Sequence, residues 1–223
     1  MPLQSVTFDL DGTLVDTIAD LAAACHAMLA ELGLPGRSDA DIHRFVGKGM
    51  AVLVERCLTW EAPPFPALQQ AGVEAFCRHY GAVNGRRSTL YPGVMEGLQL
   101  FRSRGVRMGV VTNKPGAFTG PLLEALGVAD FFSVVVSGDT LAFKKPRPEP
   151  LLHACRVLGV PPERNLHIGD SCNDIEAARA AGCPVICVPY GYNEGHPVDS
   201  ADCDALVSDL VAAAEWAFPA AGA

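Results

Sequence analysis

The stretch FDLDGTLVD, residues 8–16, closes an apolar run, SVTFD, with three aspartates, Asp9, Asp11 and Asp16. The run reads as a short β-strand. Like charges so close together repel, and burying them costs more. Either these acids face water or something positive sits among them. On extended backbone Asp9 and Asp11 share one side, while Leu10 turns into the protein. Gly12 permits a tight bend and close approach of backbone amides. Asp16 reads as a helix cap, but capping explains one acid and not a pair. A calcium loop of the EF-hand type fails on spacing, because its sixth position requires Gly and Leu14 stands there.

Outward from this stretch the pattern changes twice. Thr17 opens a helix, with Asp20 in a capping box and Ile18, Leu21, Cys25, Leu29 and Leu32 at helical spacing up to Gly33. Further helices are expected over 50–59 and 67–80, so residues 17–85 read as helix and loop. After LYPGV (residues 90–94) helices over 94–104, 117–126, 149–158, 174–181 and 206–217 alternate with strands over 107–113, 132–138, 165–170 and 184–190. Such alternation argues for a parallel sheet. The expected fold is α/β. Residues 1–16 and 86–223 form a Rossmann-like parallel-sheet core, and residues 17–85 form a helical cap domain inserted after the first strand. The tail PAAGA is expected to fray.

Composition narrows the function. Apolar residues make up 49% of the 223, enough for a substantial core. The net charge is −8 and no run of five basic residues occurs, which argues against a nucleic-acid partner. No apolar run approaches eighteen residues and the N-terminus lacks the charged and apolar regions of a signal peptide. Eight cysteines are scattered without C-x-x-C or a supporting His pair. These features lead us to expect a cytoplasmic protein with reduced thiols and no membrane partner, monomeric or homodimeric.

Ligands in open α/β sheets bind outside the carboxyl ends of the strands. Four polar clusters fall at such ends: DLDGT, Thr112–Asn113, Ser137–Gly138 and GDSCND (residues 169–174). Asp170 and Asp174 can complete an oxygen cage with the first pair. Oxygen ligands of this kind suit Mg²⁺ and a phosphate-bearing substrate. Backbone amides, a Thr hydroxyl and a lysine would hold the remaining phosphoryl oxygens.

FDLDGTLVD, VVTNK (residues 110–114), FKKPRPEP (143–150) and IGDSCND (168–174), in that order, resemble the four motifs of the haloacid dehalogenase superfamily. The helical insert is similar to that family's first type of cap. VGKGMAVLVERCL (46–58), LYPGV and YGYN (190–193) resemble its phosphoglycolate phosphatase branch. The resemblance implies an Mg²⁺-dependent phosphomonoester hydrolase acting on a small phosphorylated metabolite, with 2-phosphoglycolate the expected substrate. Asp9 would be the nucleophile, and Asp11 the acid and then the base. Thr112 would hydrogen-bond the phosphoryl group and Lys145 would neutralise it. Asp9, the Asp11 backbone carbonyl and Asp170 would hold the metal, and Asp174 would hold its waters or orient Lys145.

Other residues carry two readings. Asn113 touches substrate or forms a turn. Lys48, between Gly47 and Gly49, binds an anionic substrate or is a solvated loop lysine, with Arg56 able to share the role. Lys144 is expected at the surface, His167 in the core, and Cys172 as a helix-start residue. Asp11 argues against a dehalogenase, which lacks the second aspartate. A sugar phosphomutase, or a phosphatase for another small ester, remains the alternative. A non-catalytic phosphate-binding protein would show a broken motif position, and all four are intact.

Overall fold

Residues 3–60 and 62–219 are described, from a computed structural model. The chain runs β1 (Ser5–Phe8), β2 (Val15–Asp16), α1 (Ile18–Glu31), α2 (Asp39–Phe45), α3 (Met50–Leu58), α4 (Pro66–Val83), β3 (Thr89–Leu90), α5 (Val94–Ser103), β4 (Arg107–Val111), α6 (Gly116–Ala125), β5 (Val134–Val136), α7 (Glu149–Leu158), β6 (Asn165–Gly169), α8 (Cys172–Ala181), β7 (Val185–Cys187), β8 (Ala205–Leu206) and α9 (Leu210–Ala217). Six strands form one parallel sheet in the order β5-β4-β1-β6-β7-β8. The α/β fold expected from the alternation is therefore present. β2 and β3 pair antiparallel, where the chain leaves and re-enters the sheet unit.

β1 is central and buried on both faces because helices cover both. Val6 and Phe8 pack into a cluster with Leu98 and Phe101 of α5, Leu122 of α6 and Leu210 of α9. On the opposite side Leu151 of α7 and Ala178 of α8 pack against Val111, Val136 and Val185. Helices α1–α4 enclose a separate apolar cluster that includes Met28, Leu53, Val54 and Phe76, joined by Phe118 and Tyr192 from outside it. Among the described residues no helix is long and apolar enough to cross a membrane.

Several local expectations are corrected. Thr17 makes no capping bond, and Asp20 takes no part in a capping box. Asp20 is fully buried and its carboxylate accepts from the backbone amides of Gly85 (3.1 Å), Arg87 (3.1 Å) and Ser88 (3.0 Å), and from Ser88 Oγ (2.6 Å). It thus ties the outgoing strand–helix link to the returning one. α2 was not anticipated; Ser38 caps it through the Asp41 amide. The last helix starts at Leu210, because the Asp209 carboxylate caps it through the Ala212 amide at 2.9 Å. The preceding Ala205–Leu206 instead adds an edge strand. α8 starts at Cys172, earlier than position 174, because Ser171 and Asp174 form a capping box. Residues 220–223 of the tail lie outside the described residues.

Replacing Asp20 strands three backbone donors at a buried junction. Asp20→Ala should lower the unfolding free energy by about 3 kcal/mol, measured by urea denaturation. A loss below about 1 kcal/mol would show that water takes the place of the carboxylate.

Candidate active site

β1 lies between β4 and β6, and the strand order reverses around it, which opens a crevice at its carboxyl end. The register carries Asp9 just beyond Phe8, which pairs with both Val110 and Ile168. The Asp9 amide donates to the Ile168 carbonyl, and the Thr112 amide to the Val136 carbonyl, each at 2.9 Å. Asp9, Thr112 and Asp170 thus end three neighbouring strands at one edge.

Asp9, Asp170 and Asp174 each place a carboxylate oxygen within 4.8 Å of the other two. Asp9 Oδ1 lies 2.9 Å from Lys145 Nζ. That contact is off the hydrogen-bonding direction, and Oδ1 receives no hydrogen bond. Burial pushes the Asp9 carboxyl up to about 6, against the pull of the Lys145 ammonium and with a push from Asp174. Burial, Asp174 and Asp9 together raise Asp170 well above the ordinary carboxylate range. Its oxygens accept from Thr13 Oγ1 at 2.5 Å and from the Tyr192 amide at 2.6 Å. A Cβ at Gly12 would lie 2.5 Å from Asp170 Oδ2, so that close approach needs glycine.

Asp174 behaves differently. Burial alone would raise it, but Lys145 and His167 hold it far below the usual range. Its Oδ1 meets Lys145 Nζ at 2.7 Å and His167 Nε2 at 3.0 Å, and its Oδ2 accepts from Ser171 Oγ at 2.7 Å. Lys145 is buried between Asp9 and Asp174, and these two carboxylates outweigh desolvation and raise its pKa. Lys144 is exposed. His167 is buried, as expected, but it is not surrounded by apolar groups alone. Ser5 Oγ donates to Asn165, Asn165 donates to Thr7, and Thr7 contacts His167 Nδ1 at 3.1 Å. Ionised Asp174 can only accept, so His167 carries a proton on Nε2 and donates it to Asp174. In the neutral ring Nδ1 is then an acceptor, and the Thr7 hydroxyl donates to it. Burial lowers the His167 pKa, which favours that neutral form.

Asp11 stands apart from the three-acid group. Its Oδ1 accepts from Thr17 Oγ1 at 2.8 Å, and its two oxygens lie 3.1 and 3.2 Å from Lys114 Nζ. Lys114 was not singled out in the sequence, although it ends the polar triplet after β4. Its ammonium also donates to the Tyr80 hydroxyl of α4 at 2.6 Å. Asn113 exchanges two 3.0 Å bonds with the Lys145 backbone and donates to the Gly47 carbonyl at 3.0 Å. It joins the lysine segment to the α2–α3 loop and also lines the cleft. The cleft above Asp9 holds about 40 Å³, room for a few waters.

Lys48 is not brought to this cleft. Its Nζ lies 3.6 Å from Glu194, which Arg56 also meets at 2.5 Å. Gly47 and Gly49 take φ of +133° and +86°, and the loop presents its backbone to the cleft while the intervening side chain faces Glu194. All eight cysteines are free thiols, and Cys172 is exposed at the start of α8.

Three carboxylates facing one lysine leave the group short of positive charge. The donors are all hard oxygens, and one of them, on Asp9, lacks a hydrogen bond. The arrangement fits a divalent cation such as Mg²⁺.

Residues 3–182 match the model of the haloacid dehalogenase-like hydrolase family. The chain is 50% identical over 216 residues to a phosphoglycolate phosphatase of Thiobacillus denitrificans, covering 96% of this chain and 95% of that one. It is 41% identical over 232 residues to the phosphoglycolate phosphatase of Escherichia coli K12, covering 95% and 92%. The crystal structure of a predicted phosphoglycolate phosphatase from Haemophilus somnus is similar with a TM-score of 0.89 and 34% identity, covering 96% of each chain.

The raised Asp9 carboxyl has a consequence for stability. A folded pKa above the unfolded one contributes stability below the unfolded value, and this is lost as pH rises through about 6. His167, buried and neutral, acts in the opposite sense, so a variant at Asp9 isolates the effect. In metal-free protein Asp9→Asn should stabilise at pH 7.5, on the order of 2 kcal/mol, with the gain falling to about half at pH 5 and gone below about pH 4. Mg²⁺ should raise the wild-type Tm at pH 7.5 more than that of the variant. Thermal melts giving no gain at pH 7.5 would mean that Lys145 alone balances the site.

Proposed function

The chain belongs to the haloacid dehalogenase-like hydrolase family, and we propose that it hydrolyses 2-phosphoglycolate to glycolate and phosphate through a phosphoryl group carried on Asp9. The observation that carries this reading is the Asp9 carboxylate. It stands at the carboxyl end of the central strand with Lys145 at 2.9 Å and one oxygen free of hydrogen bonds. The carboxylate attacks phosphorus, and the bond to the ester oxygen breaks. Asp11 gives its proton to the leaving alkoxide, which departs as glycolate. Asp11 then takes a proton from water, the water oxygen bonds to phosphorus, and the bond to Asp9 breaks to release phosphate.

Lys145 neutralises charge on the phosphoryl oxygens, and the Thr112 hydroxyl hydrogen-bonds one of them. Asp9, Asp170 and the Asp11 backbone carbonyl would hold Mg²⁺, which when bound supplies charge neutralisation to the same oxygens. Asp174 is the least suited to direct ligation, because both its oxygens are already taken by Lys145, His167 and Ser171. It positions Lys145 instead. In this reading residues 17–85 are the cap and residues 1–16 and 86–223 the phosphatase core, and the cap excludes water during transfer. The substrate assignment draws on the names of the relatives.

Phosphate release with Mg²⁺ across 2-phosphoglycolate, sugar phosphates, pyrophosphate and phosphoserine, read as kcat/KM, tests the proposal. We expect 2-phosphoglycolate to lead. A profile led by sugar phosphates would move the assignment to another small ester or to a mutase. Asp9→Asn should lower kcat by at least about 10³-fold, and near-normal turnover by this variant would remove Asp9 as nucleophile.

A further inference from the structure

The cleft above Asp9 is lined on its cap side by apolar groups, Met50, Leu53 and Phe76, together with Phe118 of α6. Two donors facing it have spare capacity. The Lys114 ammonium has three N–H groups. One is shared between the two Asp11 oxygens at 3.1 and 3.2 Å and one goes to the Tyr80 hydroxyl at 2.6 Å, which leaves the third. The Tyr80 hydroxyl accepts from Lys114, and no described residue accepts its own proton. Tyr80 is 1% exposed, and a buried hydroxyl proton without an acceptor is costly.

Other cations are committed elsewhere. Lys145 is held by Asp9 and Asp174, and Lys48 and Arg56 by Glu194. Among the described residues Lys114 is the one cation in the cleft lining. Its pKa is raised, since Asp11 and Tyr80 outweigh the cost of burial, so it stays charged at neutral pH.

We propose that Lys114 and the Tyr80 hydroxyl form a subsite for a carboxylate of the substrate, selecting short phosphate esters of hydroxy acids over esters of neutral alcohols. The proposal rests on the hydrolase reading above and names its specificity determinants. A carboxylate offers two oxygens to the two uncommitted donors. In apolar surroundings the ammonium attracts it more strongly than water would allow. Lys114 Nζ lies only 3.1 Å from the Asp11 carboxylate that serves the ester oxygen, which favours a short linker between the carboxylate and that oxygen. Lys114 belongs to the sheet unit and Tyr80 to α4, so a bound carboxylate would also bridge the two units. A neutral alcohol leaves the third N–H and the hydroxyl proton unpaired, and a site built for polar contacts discriminates strongly against such a substrate.

The test compares kcat/KM for 2-phosphoglycolate and ethyl phosphate, which has the same chain length without the carboxylate, in wild type, Lys114→Met and Tyr80→Phe. Lys114→Met will slow both esters, because Asp11 loses a partner, so the ratio between the two is the readout. The wild type should prefer 2-phosphoglycolate, and that ratio should fall at least about 30-fold in Lys114→Met and about 5-fold in Tyr80→Phe. Equal losses on both esters would assign Lys114 to the support of Asp11 and overturn the proposal. If Lys114→Met does not fold, Tyr80→Phe decides, since it removes one oxygen; an unchanged ratio there overturns the proposal. A wild type that hydrolyses both esters equally overturns the subsite and leaves the phosphatase reading standing. One that hydrolyses no ester removes both.

Discussion

The structure depends on one ammonium group. Lys145 Nζ sits between Asp9 at 2.9 Å and Asp174 at 2.7 Å, out of water, and it is the only cation paired with the three-acid group among the described residues. Without it, three carboxylates, two of them buried, would face one another, and neutralisation by protonation would be the cheapest escape. With it, the acids divide. Asp174 receives Lys145, His167 and the Ser171 hydroxyl, and it stays ionised across the working pH range. Asp9 pairs with Lys145 through an oxygen that receives no hydrogen bond, and its carboxyl rises to about 6. Two aspartates a few ångströms apart thus acquire different chemistry from the number of donors each one meets.

The ammonium is itself held from behind. Ser5, Thr7, Asn165 and His167 line one face of two neighbouring strands, where an α/β core is usually apolar. Every polar group in that row finds a partner, which is the condition under which a buried network is tolerated. The row ends on Asp174 and fixes which oxygen Lys145 meets. From the other side Asn113 binds the Lys145 backbone twice and the Gly47 carbonyl once. The lysine and the α2–α3 loop are therefore positioned by the same side chain. One side chain thus links the α2–α3 loop to the backbone that carries the ammonium.

Much of this is legible in the sequence. The alternation of strands and helices after residue 94 gave a parallel sheet, and the polar residues at strand ends placed Asp9, Thr112 and Asp170 in one crevice. Lys145 was separated from Lys144 because only one of two neighbours on an extended segment can point inward. The misses share a physical cause. Asp20 looked like a helix cap because its partners, Gly85, Arg87 and Ser88, are more than sixty positions away in the chain. Local spacing carries no trace of such a contact. His167 is in the core as read, but its hydrogen bonds were not foreseen, since periodicity reports burial and not hydrogen bonding. Its parity with Ser5, Thr7 and Asn165 was the available clue. Lys48 drew attention as a cation between two glycines, yet those glycines turn its side chain toward Glu194.

Lys114 and Lys48 show how a lysine's role is set by what surrounds its stem. Lys48 is about half exposed and 3.6 Å from a carboxylate, so water and Arg56 can replace it at little cost. Lys114 is almost wholly buried, and its charge is held by Asp11 and the Tyr80 hydroxyl. A desolvated charge with unused hydrogen-bonding capacity favours any anion able to enter. Asp11 compensates part of that charge, and its own geometry is fixed by Thr17 as well as by Lys114. The incoming anion therefore meets an ammonium that is already oriented, and no side chain has to be immobilised on binding. Such an arrangement discriminates by charge at one end of the cleft while the chemistry proceeds at the other.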